Sequence, residues 1–444
     1  MQLTIEKLIY GGDGLARLPA DASGRGKAVF LPFVLEGEKF EASITEVKPG
    51  FARAQVESMV EPSAHRVQPA CPYFGQCGGC HYQHATYEHQ LEIKQAILRD
   101  TLRRTAKLEL PVAIQVHPSP PWNYRNRSRL QVQTRPSFQL GYFRLRSHEI
   151  QIVEECPISS PLINRGIRAV WESGRNGQVP QGIGEIEFFA DADDATLLIG
   201  LSCAPDTRRA TVRAWAEELQ TSMPEAAGVV ALREDRSGGR SMPENFLQVG
   251  AAALTYETQR AKYRVSAGSF FQTNRHLTNE LVRIVTAGQS GELAIDLYAG
   301  VGLFSTALAS DIRHIVSVEP SQTTSRDLAY NLPSNAEAVQ ATTEQYLART
   351  GPAGRVGKGT VLPHILHKPD LAVVDPPRSG LGERVARSLA TLGAPRVVYV
   401  SCDPATLARD LVPLLGAGYQ IEKIHLLDLF PQTYHLETVV HLAR

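Results

Sequence analysis

From about residue 265 to the C-terminus, apolar runs alternate with helical patterns, and this rhythm constrains the fold more than any other property of the 444-residue chain. Runs of that kind, separated by helix-length segments, predict an α/β fold with a parallel, doubly wound sheet. In such sheets ligands bind beyond the carboxyl ends of the strands. Three of the runs end in residues able to do chemistry: Ile315-Val316-Ser317-Val318 in Glu319, Leu371-Ala372-Val373-Val374 in Asp375, and Val397-Val398-Tyr399-Val400-Ser401 in Cys402. A lone free cysteine is as readily a packed core residue as a nucleophile. Its neighbours decide between the two.

The stretch Leu293-Ala294-Ile295-Asp296-Leu297-Tyr298-Ala299-Gly300-Val301-Gly302-Leu303 reads as strand, glycine turn and helix start. Gly300 and Gly302 let the backbone approach a ligand closely, and Glu319, about 20 residues on, can accept hydrogen bonds from ribose hydroxyls. The order Asp-x-x-x-Gly-x-Gly followed by a strand-terminal Glu suits S-adenosylmethionine better than a dinucleotide, because a sulfonium ligand has no pyrophosphate to cradle. After Asp375, Pro376 and Pro377 make the exit from the strand rigid. Arg378 follows them where exocyclic-amine methyltransferases usually carry a stacking aromatic, which points away from amine methylation. Carbon 5 of uracil, by contrast, is too poor a nucleophile to be methylated unaided. A thiolate added to C6 makes C5 nucleophilic, and a base must later remove the C5 proton. Cys402 and the late carboxylate Glu437, in Phe430-Pro431-Gln432-Thr433-Tyr434-His435-Leu436-Glu437, meet those two needs.

Six cysteines are too few for a disulfide framework in a chain of this length. Cys71, Cys77 and Cys80 are spaced C-x5-C-x2-C, with Cys156 available as a fourth thiol. Four thiols suit a tetrahedral zinc ion or an iron-sulfur cluster. The spacing is neither that of paired C-x2-C zinc knuckles nor the C-x3-C-x2-C of radical enzymes. Cys203, in Gly200-Leu201-Ser202-Cys203, reads as core.

Basic and acidic side chains balance, 46 against 46, so charge as a whole does not mark a nucleic-acid binder. Between Thr101 and Ile150, however, Arg103, Arg104, Lys107, Arg125, Arg127, Arg129, Arg135, Arg144 and Arg146 face only Glu109 and Glu149, interleaved with Trp122, Tyr124, Tyr142 and Phe143. Phosphate contact and base stacking need such a mixture. Residues 1 to about 60 read as short strands and turns of a small barrel. Tyr87 to Thr105 reads as a helix with Leu91, Ile93, Ile97, Leu98 and Leu102 on its apolar side. Residues 108 to 260 read as mixed and mostly β, and Gly351 to Lys368 as an excursion from the α/β rhythm. No basic leader and no run of ~18 apolar residues is present. A cytoplasmic protein without membrane partners is expected.

Phe270-Phe271-Gln272-Thr273-Asn274, Asp296 to Ser305, Asp375 to Gly380, Val400 to Asp410 and the Glu437 segment together resemble the RNA uracil-C5 methyltransferases, and within them the ribosomal-RNA branch with an N-terminal TRAM domain and an iron-sulfur cluster. The resemblance implies a Rossmann-like class I methyltransferase domain over 265–444, a TRAM β-barrel of OB-like fold over 1–60, and a central mixed α/β domain over 61–264 carrying the cysteines and an RNA-binding surface. It implies Cys402 as nucleophile, Glu437 as general base, and Gln272, Tyr298, Glu319 and Asp375 as S-adenosylmethionine contacts, with Asp375 also addressing the uracil. It assigns Cys71, Cys77, Cys80 and Cys156 to a [4Fe-4S] cluster, zinc being the competitor. The expected product is 5-methyluridine in 23S ribosomal RNA, made by a monomer on a uridine flipped out of its stack. Transfer RNA is the second candidate substrate, and an inert, metal-stabilised RNA-binding protein the reading from another class. Two positions depart from the family pattern: Ala299 stands where cysteine is frequent and Asp403 where asparagine is expected. A carboxylate exposed to Cys402 would weaken the thiol as a nucleophile, so Asp403 is expected to be turned away or hydrogen-bonded.

Overall fold

The computed structural model describes residues 1–19, 26–233, 244–350 and 368–444. The expected excursion at 351–368 lies, except for Lys368, outside the described residues.

The N-terminal unit is a six-stranded sheet in which Ala28–Pro32 runs parallel to Phe51–Glu61 and the other pairings are antiparallel. Alternation along Ala28–Pro32 turns Val29 and Leu31 inward, where they meet Leu3, Ile5, Phe40 and Ala52. Two further residues of this unit, Leu8 and Leu35, pack instead into the core of the catalytic sheet beside Ile97, Leu98 and Ile114. The barrel is therefore fastened to the rest of the molecule by shared apolar burial.

Helix Tyr87–Thr105 forms over the expected span. Its buried side is Gln90, Ile93, Lys94, Ile97, Leu98 and Leu102. Leu91 is only half-buried. Two polar side chains thus occupy positions that binary patterning assigns to solvent, and both have partners in the site described below.

The central sheet has seven strands, in the order Ile150–Ile152, Gln139–Phe143, Arg127–Gln133, Ile183–Ala190, Leu197–Cys203, Ala226–Arg233, Glu244–Gly250. Helices Pro161–Arg175 and Arg209–Ser222 supply Ile163, Ile167, Val212 and Trp215 to its core, which also contains Cys203 at 2 % exposure.

The C-terminal sheet has eight strands, in the order Ala336–Val339, Ile312–Val318, Gly291–Leu297, Leu371–Val374, Arg396–Ser401, Glu437–Ala443, Gln420–Leu427, Ile114–His117. The first five are parallel and Glu437–Ala443 is antiparallel to both neighbours. Side chains of the middle strands alternate between two cores: Ile295, Ala372, Val374 and Tyr399 face one, and Ala294, Leu371, Val373 and Val398 the other. Burial on both faces is why these strands read as continuous apolar runs.

Elements near both ends of 61–264 pack with the C-terminal sheet. Ile114–His117 extends the C-terminal sheet by pairing with Gln420–Leu427, and helix Tyr87–Thr105 packs on it through Ile97 and Leu98. Hairpin Ala253–Glu257 with Lys262–Ser266 puts Leu254, Tyr256, Tyr263 and Val265 into the other core of that sheet. A four-residue edge strand carries too little periodic signal to be assigned to a distant partner from sequence. Among the described residues no helix is long and apolar enough to cross a membrane.

Candidate active site

Strand Gly291–Leu297 ends in a turn where Tyr298, Gly300 and Gly302 all have positive φ, at 63°, 56° and 93°. Gly302 starts helix Leu303–Leu308. A tyrosine in the left-handed region is strained, and such strain concentrates at ligand sites. Asp296, completely buried, accepts a hydrogen bond from Ser305 N (3.1 Å) and another from the Ser305 hydroxyl, tying strand to helix across the turn. Burial, with a smaller contribution from Glu319, pushes its carboxyl up to about 7.

Glu319 stands at the end of the adjacent strand. Its Oε2 accepts from Gly300 N (3.2 Å) and its Oε1 from Ser321 N (2.8 Å), so the expected ribose acceptor is built into the glycine turn. Gln272 is 7 % exposed and follows Phe271, which packs in the same core as Val301, Leu303 and Phe304. Phe270, its other neighbour, is 61 % exposed.

The reactive corner comes from three strand ends. Val374 pairs with Tyr399 and Ser401 with Thr438, which brings Asp375, Cys402 and Glu437 together at one edge of the sheet. Burial and then the Asp375 charge push the Glu437 carboxyl far above the carboxylate range, and burial with the Asp296 charge pushes Asp375 up to about 7. Burial pushes the Cys402 thiol up to about 12, Glu437 and Asp375 adding to the rise and Arg378 opposing it. A thiol beside two carboxyls whose proton affinities are raised is a corner suited to proton transfer. Arg378 lies over His435, one guanidinium nitrogen standing 3.2 Å from both ring nitrogens.

Asp403 is accounted for by the backbone. It caps helix Pro404–Gly416, its Oδ1 accepting from Ala405 N (3.0 Å) and Thr406 N (2.9 Å). The carboxylate is hydrogen-bonded, as the sequence led us to expect, and of the influences on the Cys402 thiol its charge is the smallest named.

Cys71, Cys77, Cys80 and Cys156 line one cavity of about 40 Å³ together with Arg125, Gly79 and Pro157. Burial raises Cys77 to about 11 and Cys80 further. Burial thus disfavours the thiolate at Cys77 and Cys80, and an electrophilic metal would be the means of drawing thiolates there. The Nε of Arg125 has no hydrogen-bond partner among the described residues. Among those residues no three His, Cys, Asp or Glu side chains are gathered closely enough to hold a single metal ion.

Much of the basic excess between 101 and 150 is ion-paired, although several of the paired side chains stay exposed. Arg103 and Arg104 pair with Asp100, Arg129 with Glu185 and Glu187, and Arg146 with Asp13. Arg127, 10 % exposed, pairs with Glu187, and Arg125 faces the cysteine cavity. Lys107, Arg135 and Arg144 remain without an ion pair among the described residues. Acids distant in sequence supply most of the partners, which local counting cannot see. Tyr124, expected to stack on bases, is fully buried and donates to Pro431 O (3.0 Å). Sequence reasoning also passed over Gln90, Lys94 and Tyr10; the polar interruptions at 90 and 94 in an apolar stripe were the available signal for the first two.

A glycine turn leading into a helix, an acid on the neighbouring strand end and a doubly wound sheet define a class I methyltransferase. The tRNA (uracil-5-)-methyltransferase family model matches residues 86–444, and a TRAM domain matches 1–56. The chain belongs to that family and is an S-adenosylmethionine-dependent RNA (uracil-5-)-methyltransferase. It is 32 % identical to an uncharacterized RNA methyltransferase of Aquifex aeolicus over 100 % of this chain and 98 % of that one. It is 31 % identical to the 23S rRNA (uracil(1939)-C(5))-methyltransferase RlmD of Halomonas elongata over 99 % of this chain and 89 % of that one. The crystal structure of the Pyrococcus abyssi tRNA (uracil-54, C5)-methyltransferase with S-adenosyl-L-homocysteine shares the fold over 100 % of both chains, with a TM-score of 0.72 at 23 % identity.

Proposed function

We propose that the protein forms 5-methyluridine in 23S ribosomal RNA, with Cys402 as nucleophile and Glu437 as general base. The observation that carries this reading is the register Ser401 to Thr438, which sets a thiol and a buried carboxyl side by side at the strand ends. S-adenosylmethionine supplies an electrophilic methyl group. The Cys402 thiol gives up its proton to solvent, its sulfur forms a bond to uracil C6 and the C5–C6 electron pair moves to C5 and O4. C5 takes the methyl group as its bond to the sulfonium sulfur breaks and S-adenosylhomocysteine leaves, the Glu437 carboxylate removes the C5 proton, the double bond re-forms and the thiolate leaves. Glu319 and Gly300 hold the ribose side of the donor, Gln272 and Tyr298 contact it near the turn, and Asp375 contacts donor and uracil. A Glu437 carboxyl with a raised affinity for protons is suited to accepting one from carbon.

Cys71, Cys77, Cys80 and Cys156 hold a [4Fe-4S] cluster in this reading, with the Arg125 guanidinium offsetting the negative charge of a thiolate-bound centre. The TRAM unit and the central domain grip the RNA. Support for a ribosomal substrate comes from full-length relatives such as the Halomonas elongata protein. The reading as an inert binding protein rested on Asp403, which serves as a helix cap.

RNA containing 5-fluorouridine, which cannot lose a proton at C5, tests the chemistry. With S-adenosylmethionine it should trap a covalent complex with the wild-type protein and none with Cys402→Ala; equal trapping by both would remove Cys402 from the mechanism. Mapping 5-methyluridine in ribosomal and transfer RNA of a deletion strain then decides the substrate, since loss from transfer RNA alone would overturn the ribosomal assignment.

A further inference from the structure

The stretch 428–436, which leads into Glu437, has no helix or strand of its own. It is nevertheless almost fully buried: Leu429, Gln432, Thr433 and Leu436 are each 3 % exposed or less. A buried irregular segment must find partners for its backbone carbonyls elsewhere. Here four consecutive carbonyls are each taken by a donor from a different part of the chain. Asn274 Nδ2 donates to Leu429 O (3.1 Å), Lys94 Nζ to Phe430 O (2.9 Å) and the Tyr124 hydroxyl to Pro431 O (3.0 Å). The backbone N–H groups of His81 and Tyr82 both donate to Gln432 O, at 2.8 and 3.0 Å. Gln90 completes the set by accepting from Gln432 N (2.9 Å) and donating to Gln432 Oε1 (3.0 Å). Gln432 itself has φ of 67°, a conformation that a side-chain-bearing residue holds only when its surroundings impose it.

These hydrogen bonds all end on residues 429–432 and none ends on Cys402, although the helix carrying Gln90 and Lys94 packs against the helix that follows Cys402. The donors Asn274, Lys94, Tyr124 and Gln90 are each 1 % exposed or less, so the arrangement is rigid. We infer that this four-carbonyl clamp is the positioning device for Glu437 and acts on the last step, removal of the C5 proton, while leaving thiol addition and methyl transfer alone. Lys94, Gln90, Tyr124 and Asn274 are then positioning residues. His81 directly follows Cys80, so the cysteine site anchors one arm of the clamp. The inference rests on the assignment of Cys402 and Glu437 above. Its physical basis is that proton transfer requires the base within hydrogen-bond reach of the proton, and small displacements of a reacting group cost large factors in rate.

Tyr124→Phe removes one donor while keeping the ring, and Gln90→Met removes another while keeping length. Each variant would be given ordinary uridine RNA and methyl-labelled S-adenosylmethionine, quenched in detergent, and examined for protein–RNA adduct carrying the label. The rate of trapping on 5-fluorouridine RNA reports the earlier steps separately. For both variants we expect turnover to fall roughly tenfold, as a small displacement of the base would cost, labelled adduct to accumulate on ordinary RNA, and trapping on 5-fluorouridine RNA to keep its wild-type rate. Turnover and trapping falling together, or turnover unchanged in both variants, would overturn the clamp. Glu437→Gln serves as reference: absence of labelled adduct in that protein would refute Glu437 as the base, whereas adduct there and none in the two variants refutes the clamp alone.

Discussion

The hydroxyl of Tyr10, in the N-terminal unit, donates a hydrogen bond to the carbonyl oxygen of Cys402, 3.3 Å away and 392 residues later in the chain. The Tyr10 ring also meets Tyr434 edge to face, with centroids 5.4 Å apart. The barrel thus touches both the nucleophile's turn and the segment leading to Glu437.

Tyr10→Phe should therefore slow covalent trapping on 5-fluorouridine RNA by roughly threefold, within the range of one neutral hydrogen bond, measured at saturating RNA and S-adenosylmethionine. An unchanged rate at saturation would mean that the barrel contributes RNA affinity alone.

Asp296 predicts a pH dependence of stability. Its carboxyl is raised from the usual carboxylate range to about 7, chiefly by burial. Between pH 4 and pH 7 the folded protein holds a proton there that the unfolded chain has lost, so stability falls as pH rises through that window. Asp296→Asn, which keeps an acceptor for Ser305, should raise Tm relative to wild type at pH 8 and leave it nearly equal at pH 4. A larger gain at pH 4 than at pH 8 would contradict the sign.

Asp403 separates capping from charge. Asp403→Ala should cost about 1 kcal/mol of stability through loss of the cap, while Asp403→Asn, itself a good cap, should cost less than about 0.5 kcal/mol. Trapping by Asp403→Asn should match wild type. A strong acceleration would show that the carboxylate reaches Cys402 after all.

The cysteine cavity predicts iron and acid-labile sulfide, with broad visible absorption, in anaerobically purified protein. Cys156→Ser should lose most of both. Stoichiometric zinc without iron in the wild-type protein would replace the cluster with a single ion.

Much of the fold and of the site was legible because it is written locally. The two-sided burial of Leu371–Val374 and Arg396–Ser401 makes continuous apolar runs, and the glycine turn at 300–302 follows a strand within a few residues. Helix Tyr87–Thr105 was readable from its periodicity to its ends. The ion pairing of the basic excess at 101–150 was not legible, because charge counted along the chain says nothing of acids such as Asp13, Glu185 and Glu187 brought in by folding.

The chain by itself determined the doubly wound sheet, the strand ends that carry Glu319, Asp375 and Cys402, and the set of four thiols, since each depends on side-chain types within a short window. Only the tertiary structure decided that Gln90 and Lys94 turn inward, that Tyr124 donates its hydroxyl to Pro431 O and that Tyr10 reaches Cys402. Those contacts join residues separated by some 300 to 400 positions. A polar side chain is stable in the core only when a partner waits there, and no local pattern specifies that partner.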